Sequence, residues 1–503
     1  MTAEVRQMLQ RAAASRDADA MLRAGAAALQ AGAHDEAVAP VGVLLKDHPG
    51  NARLWQLLGL LHRNADDLKA AIEALAKAAE LAPDDAMIAN ALACATFEAG
   101  LPAVGLFERA VRLAPSDRSI LLRLTAARIQ DGEAEAALGA LADALRRDPQ
   151  WVEGHAALAR VRWTRGDHEH FADSFEHALA AAPRDFALWR AYIETLLHDQ
   201  LFARALPLIE RARAAAGRNV SFDAAEAIAR SELGETERPG PLFARLAQLG
   251  SVPVIMHHIR FFLRTGRVKE AAAMAERAAP RDPSHQLWPY VSLGWRLLGD
   301  RRWEWLEGDP RLVGVYDIAD RLPPLEGLAE RLRALHRTSH HPFDQSLRGG
   351  TQTEGHLFSR IEPEIRALRQ AVGKAVEMHV AQLPPPQPGH PTLVARRAPI
   401  GFSGSWSVRL TGGGRHVNHV HPAGWFSSAL YVAVPDAADR GAAEAGWLSL
   451  GEASELGVDL PPLRLVEPKP GRLVLFPSTM WHGTRPFDAG ERLTVAFDVK
   501  RPA

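Results

Sequence analysis

Over roughly the first 290 residues, apolar positions recur at intervals of three and four, in stretches of helical length that end in short polar breaks. Leu54, Leu57 and Leu58, followed by Leu60 and Leu61, make one such stripe. The breaks are regular: His48-Pro49-Gly50-Asn51, Ala82-Pro83-Asp84-Asp85, Ala114-Pro115-Ser116-Asp117, Asp148-Pro149-Gln150-Trp151 and Ala182-Pro183-Arg184-Asp185. Their prolines stand 34, 32, 34 and 34 residues apart, and a further 34 residues reach Gly217 in Ala216-Gly217-Arg218-Asn219. Between breaks lie two helical patterns joined by a turn such as Glu98-Ala99-Gly100 or Thr164-Arg165-Gly166-Asp167. One helix pair has too much apolar face to hide by itself, so neighbouring pairs must stack and bury a shared core. The pattern predicts an α-solenoid over residues 1–290.

This period and layout resemble the tetratricopeptide repeat, with an Ala-Pro-x-Asp break between units. The resemblance covers about residues 20–290 and weakens after Gly217. It implies a surface that receives a peptide or protein segment, or else a scaffold for the rest of the chain.

The pattern then changes. Residues 291–340 read as a tryptophan-rich connector, with Trp295, Trp303 and Trp305 around Gly308-Asp309-Pro310; aromatics there are expected to pack a junction. The pairs His257-His258 and His340-His341 have no partner cluster at metal spacing and are expected at the surface or junction. After Pro323-Pro324 one amphipathic helix is predicted, then a polar segment from Gln345 to Gln352, then a long helix from Ile361 to Val380. From about residue 395 strands take over. Ser405–Leu410 alternates, Phe426–Val434 is apolar and β-rich, and Gly446–Leu450, Arg472–Phe476 and Leu493–Val499 are short and bounded by turn residues. The fold class is therefore α + β and multidomain, with a small β-barrel or jelly roll inside residues 341–503.

Composition narrows the function. With 59 Lys and Arg against 60 Asp and Glu in 503 residues, the formal charge of -1 argues against a nucleic-acid or membrane partner. The only cysteine, Cys94, rules out an intramolecular disulfide and a Cys-cluster metal site; within its Ala-rich helix it reads as a small buried hydrophobe. The first twenty residues lack the apolar core of a signal peptide, and no long apolar run suggests a membrane span. A cytoplasmic, reducing location is expected. Nothing fixes the oligomeric state.

Three features on the predicted strands carry chemistry. In His419-Val420-His421-Pro422, residues two apart on a strand share a face, so both imidazoles point one way and His416 points the other. His482 follows the strand Gly471-Arg472-Leu473-Val474-Leu475-Phe476-Pro477, and Arg492 and Thr494 share a face ten residues further on. Three imidazoles on one face of a metal leave positions open for a bidentate 2-oxo acid and dioxygen. The Arg492 fork fits a distal carboxylate, and the Thr494 hydroxyl adds a hydrogen bond to it.

On these motifs, together with Ser427-Ser428-Ala429-Leu430-Tyr431 and the segment Gln345–Gln352, the chain from about Phe402 to Pro502 resembles 2-oxoglutarate/iron(II) oxygenases found behind tetratricopeptide repeats. It is similar in spacing to the aspartyl/asparaginyl β-hydroxylase group, whose domain is a double-stranded β-helix with flanking helices. The resemblance implies iron(II), 2-oxoglutarate and dioxygen, with His419 and His482 as iron ligands and Arg492 as the cosubstrate anchor. It implies Tyr431 and Ser428 as further carboxylate contacts, and a hydroxylated peptide or protein as product. The wider superfamily has Asp or Glu where this chain has His421. His421 is then either a third ligand or a residue that supports the ligands without touching the metal, and Asp488 and Asp498 lack the spacing of a substitute. A cupin also fits the spacing from Gly413 to His419 and from Pro477 to His482. It has no use for Arg492, and its usual Glu is missing where Trp425 and Phe426 stand. A metal-binding adaptor without turnover is the remaining alternative.

Overall fold

The computed structural model describes residues 3–337 and 347–502; the pair His340-His341, and Gln345 and Ser346, lie outside the described residues. Internal contacts define two compact units, Met1–Ala144 with Gly355–Arg366 and Leu145–Glu354 with Ala367–Ala503.

The first unit is built of helix pairs, among them Ala52–Asn64 with Leu68–Leu81 and Ala86–Glu98 with Val104–Leu113. Its breaks work as the sequence suggests. Ala82 and Ala114 leave the helical region at φ -135° and -134°, because a following proline ring clashes with helical backbone. Two residues after each proline, Asn51, Asp85 and Asp117 accept backbone N–H groups of the next helix, satisfying donors that have no partner inside it. Each break thus stops one helix and starts the next. Leu54, Leu57 and Leu61 are buried with Met21, Val41 and Leu44, whereas Leu58 and Leu60 are half-buried. Cys94 is buried, as its helix implies. Residues Gly355–Arg366 dock on this unit: the Ile361 N–H donates to Ala99 O at 3.2 Å, and Arg360 Nη2 donates to Gly100 O at 3.2 Å.

In the second unit, helices continue from Val152–Thr164 to Trp288–Leu297. Asp185 and Asn219 cap again, but Trp151 makes no such bond. His258 is not at the surface: it is stacked on Phe243 and tilted against Phe262, with ring centroids 5.1 and 4.2 Å away. The core side of its helix outweighs the polarity of a neutral imidazole. His257 lies 3.7 Å from Glu232.

The strands are β1 (Gly314–Asp317), β2 (Leu347–Gln352), β3 (Phe402–His419), β4 (Gly424–Ala433), β5 (Leu448–Leu450), β6 (Arg464–Val466), β7 (Arg472–Pro477), β8 (His482–Thr484) and β9 (Glu491–Lys500). They form one curled antiparallel sheet in the order β1-β7-β4-β9-β3-β8-β5-β6, with β2 also on β3, which fits a jelly roll. Helices Leu325–Leu335 and Pro363–Ala381 stand where the sequence placed them. The segment read as polar, Gln345–Gln352, contributes the strand β2 instead. Its glycines hid the strand: a Cβ on Gly350 would lie 2.3 Å from Arg409 O, so the close approach to β3 demands glycine.

The tryptophan-rich connector packs as expected. Trp288, Trp295 and Leu293 share a core with Leu456 and Trp481 of the strand region, and the Trp481 indole N–H donates to Pro289 O at 3.2 Å. Trp303 packs against the same core. Trp305 donates to Gln387 Oε1 at 2.7 Å, and its ring lies 4.7 Å from that of His390.

Several histidines are buried as neutral rings. His390 Nδ1 accepts the N–H groups of Thr392 and Leu393 at 2.9 and 3.0 Å, so its proton sits on Nε2. Burial pushes His258, His379 and His390 down to about 4. Between that value and the ordinary imidazole value the unfolded chain binds protons that the fold excludes, so stability falls as pH drops through this window. The expected slope is up to about 1.4 kcal/mol per pH unit for each such ring. Thermal melts should show the midpoint falling between pH 6.5 and 4.5; a flat profile would contradict the burial of neutral rings.

Candidate metal centre

Two rows of the sheet build the site. Strand β3 pairs with β9 up to Thr411↔Glu491, then leaves it and pairs with β8 from His416↔Thr484 to His419↔His482. Gly412-Gly413-Gly414 make the change of partner. Gly413 has φ +78°, and a Cβ on Gly412 or Gly414 would lie 2.6 Å from Asp488 O or 2.5 Å from Gly349 O. Side chains larger than hydrogen do not fit there. The result is His419 directly opposite His482, their ring centroids 4.2 Å apart. His421 lies just beyond the end of β3, its backbone N–H donating to Ser478 O at 3.0 Å. Its ring is 4.9 Å from that of His419 and 5.2 Å from that of His482.

One ligand atom from each of the three lies within 4.8 Å of the others, and among the described residues this is the one group of His, Cys, Asp or Glu able to hold a metal ion. The protonation pattern suits that role. His419 Nδ1–H donates to Val417 O at 2.8 Å, and His482 Nδ1–H to Met480 O at 3.0 Å. His421 Nδ1–H donates to the Asp498 carboxylate at 3.0 and 3.2 Å. A carbonyl or carboxylate only accepts, so each Nδ1 carries the proton and each Nε2 keeps its lone pair, as in metal-binding histidines with outer hydrogen-bond partners. Burial, then the charges of the neighbouring rings, holds His419 and His482 well below the usual imidazole value. Burial pulls His421 the same way, but the charge and hydrogen bond of Asp498 outweigh it and raise it.

His416 is not turned away. Between His416 and His419 the register with β8 shifts, and an extra residue in a strand restores the same face after an odd step. His416 lines the pocket with its ring 5.7 Å from that of His419; burial and then the Arg492 charge push it down to about 3.

Deeper in the same pocket lies Arg492, 2 % exposed, with its Cζ 4.9 Å from the centre of the Tyr431 ring. Its neighbour Glu491, on the opposite face of β9, takes both Arg333 and Arg409. No carboxylate among the described residues pairs with Arg492, and Arg492 Nε has no hydrogen-bond partner. A buried guanidinium left this way costs several kcal/mol unless an anion reaches it. Thr494 and Ser428 also line the pocket. The Ser428 hydroxyl donates to Phe497 O at 2.9 Å and accepts the Phe497 N–H at 2.8 Å, so it has no proton left for a carboxylate. Tyr431 stands behind Arg492 rather than in the lining, and burial raises its phenol while the Arg492 charge opposes the shift.

The residue missed by spacing along the chain is Asp498. Arg492, Thr494, Ala496 and Asp498 all line the pocket, an even spacing that β alternation makes legible once β9 is known to face inward. Asp488 instead lies at the β3 turn, with its N–H on Arg440 O.

The curled sheet thus brings together three convergent imidazoles able to hold a metal ion and a buried arginine in one pocket. Residues 404–498 match the family model described as "Putative 2OG-Fe(II) oxygenase", and residues 52–85 match the tetratricopeptide repeat model. The two matches support a fusion of tetratricopeptide repeats with a "Putative 2OG-Fe(II) oxygenase" domain in one chain. No curated protein matches it. Among solved structures, a tetratricopeptide repeat protein from Parabacteroides merdae is similar at 16% identity, covering 48% of this chain and 96% of its own, with a TM-score of 0.31. Yeast Tom70 is similar at 16% identity over 55% of this chain and 61% of its own, TM-score 0.37. MamA from Desulfovibrio magneticus RS-1 is similar at 19% over 33% and 94%, TM-score 0.29. At these scores none of them bears on function. No helix among the described residues is long and apolar enough to cross a membrane.

Removing one imidazole of three should raise the Kd for Co(II) by about 100-fold or more in His419→Ala and His482→Ala. His416→Ala should stay within about threefold. Isothermal titration checks both, and equal losses in all three variants would contradict the triad.

Proposed function

We propose that residues 341–503 form a 2-oxoglutarate- and iron(II)-dependent dioxygenase that hydroxylates a peptide or protein side chain presented by the repeats of residues 1–290. The observation that carries this reading is the pairing, in one pocket, of three free Nε2 atoms with a buried guanidinium that has no carboxylate of its own. Iron(II) alone explains the imidazoles but not Arg492. A dicarboxylate whose 2-oxo end chelates the metal and whose far end meets Arg492 explains both.

In this reading His419, His421 and His482 hold the metal through Nε2, and the carbonyls of Val417 and Met480 and the Asp498 carboxylate orient the rings. When bound, iron(II) couples oxidative decarboxylation of 2-oxoglutarate to succinate and carbon dioxide with hydroxylation of a substrate C–H bond by dioxygen. Arg492 pairs with the distal carboxylate in a site dry enough to strengthen the contact. The Tyr431 ring supports the guanidinium from behind, and Thr494 completes the anion site. No general base is required of the protein, which fits a pocket whose imidazoles are held neutral or paired.

The repeats favour a polypeptide substrate over a small metabolite because stacked helix pairs expose extended surface. Within the second unit the helical run of residues 152–297 is joined to the strands, with Trp481, next to His482, anchored on Pro289. A single buried cysteine and an iron(II) site suit a reducing, cytoplasmic compartment.

Full-length protein with iron(II), 2-oxoglutarate and oxygen should release succinate slowly even without substrate. Arg492→Ala should raise the 2-oxoglutarate KM by about 100-fold, the loss expected for a charge-assisted bidentate pair, while leaving Co(II) affinity within a few-fold. Metal binding without cosubstrate binding or succinate would identify a non-catalytic adaptor. Cosubstrate binding undiminished in Arg492→Ala would remove the anchor assignment.

A further inference from the structure

The three ring protons of the triad go to unlike acceptors. Those of His419 and His482 reach neutral backbone carbonyls, of Val417 and Met480. That of His421 reaches an ionisable side chain, with Asp498 Oδ2 at 3.0 Å and Oδ1 at 3.2 Å. Asp498 is itself fixed: Ser427 Oγ lies 2.6 Å from Oδ1 and 3.0 Å from Ser478 Oγ. The Ser478 carbonyl in turn accepts the His421 N–H, so both ends of the His421–Asp498 pair rest on one serine. Among the described residues no Lys or Arg ion pairs with Asp498; its one ion-pair contact is His421. Its charge is therefore not neutralised by a fixed cation.

A facial set of two histidines and one carboxylate brings a negative charge to iron(II), whereas three neutral imidazoles bring none. We propose that Asp498 is the displaced carboxylate of this metal site: acting through His421, it supplies the charge and the ring orientation that a directly bound carboxylate would supply. This rests on the metal-centre reading above and deepens it. A carboxylate on the far nitrogen raises the basicity of the coordinating one and locks its tautomer, and loss of such a partner costs about 10- to 100-fold in metal affinity. Asp498 is thus a positioning residue, and position 421 need not be acidic because position 498 is.

The test uses the full chain, Co(II) as the probe, chelator competition for Kd and the ligand-field absorption of bound Co(II) for geometry. Asp498→Asn keeps an acceptor for Ser427 and should raise Kd by 10- to 100-fold with a shifted cobalt spectrum. His421→Asp moves the carboxylate onto the metal directly. In that background Asp498→Asn should cost no more than about twofold, because the charge is already present and the second carboxylate only repels it. Asp498→Asn within twofold of the parent, or equally costly in both backgrounds, would overturn the proposal; the second result would mean damage to the fold rather than loss of a partner. Tight Co(II) binding with no succinate release would sink the oxygenase reading and leave this one standing. Failure of the unmutated chain to bind Co(II) would sink both.

Discussion

The whole site depends on one backbone event, the change of partner of β3 at Gly412-Gly413-Gly414. Up to that point β3 belongs to β9 and brings Arg492 and Thr494 into the barrel; after it, β3 belongs to β8 and brings His419 opposite His482. A strand that kept one partner throughout would place either the Arg492 end or the His419–His482 pair, not both. Three consecutive glycines meet the requirement because the surrounding carbonyls leave no room for a Cβ at two of them, and the backbone at the third favours glycine.

Around this hinge, charge is arranged by strand alternation. Glu491 faces out and is shared by two arginines, while Arg492 faces in and has none. Asp498, six residues on and facing the same way, pairs with His421 rather than with Arg492. The pocket is thus polarised, an anion-seeking guanidinium at one end and an anionic imidazole support at the other. The second unit also ties the site to its own helices. Trp481, one residue before His482, is buried among side chains of Trp288–Leu297 and edge-on to Tyr290 at 5.6 Å, so the strand bearing a candidate ligand is braced by the end of the helical run.

What the chain disclosed by itself follows from how local each signal is. The Pro-x-Asp breaks were legible because the proline effect and the cap act within four residues. Strands β3, β4, β7 and β9 were legible through alternation and β-branched content. Strands β2 and β8 were not: the first is glycine-rich and polar, the second three residues long, and both exist because β3 is there to pair with. His416 was misplaced because counting by twos fails across a bulge, whose position depends on the partner strand. Ser428 read as a free hydroxyl because its acceptor, Phe497 O, is 69 residues away in the chain. Asp498 lacks a ligand's spacing from His421, although its even offset from Arg492 places it on the inner face.

The most direct trial of this account is anomalous diffraction from crystals of the full chain soaked with Mn(II) and 2-oxoglutarate. It predicts a single strong peak roughly 2 Å from the Nε2 atoms of His419, His421 and His482, with the cosubstrate spanning from that metal to the Arg492 guanidinium. A metal bound elsewhere, or a cosubstrate carboxylate that leaves Arg492 without a partner, would contradict it.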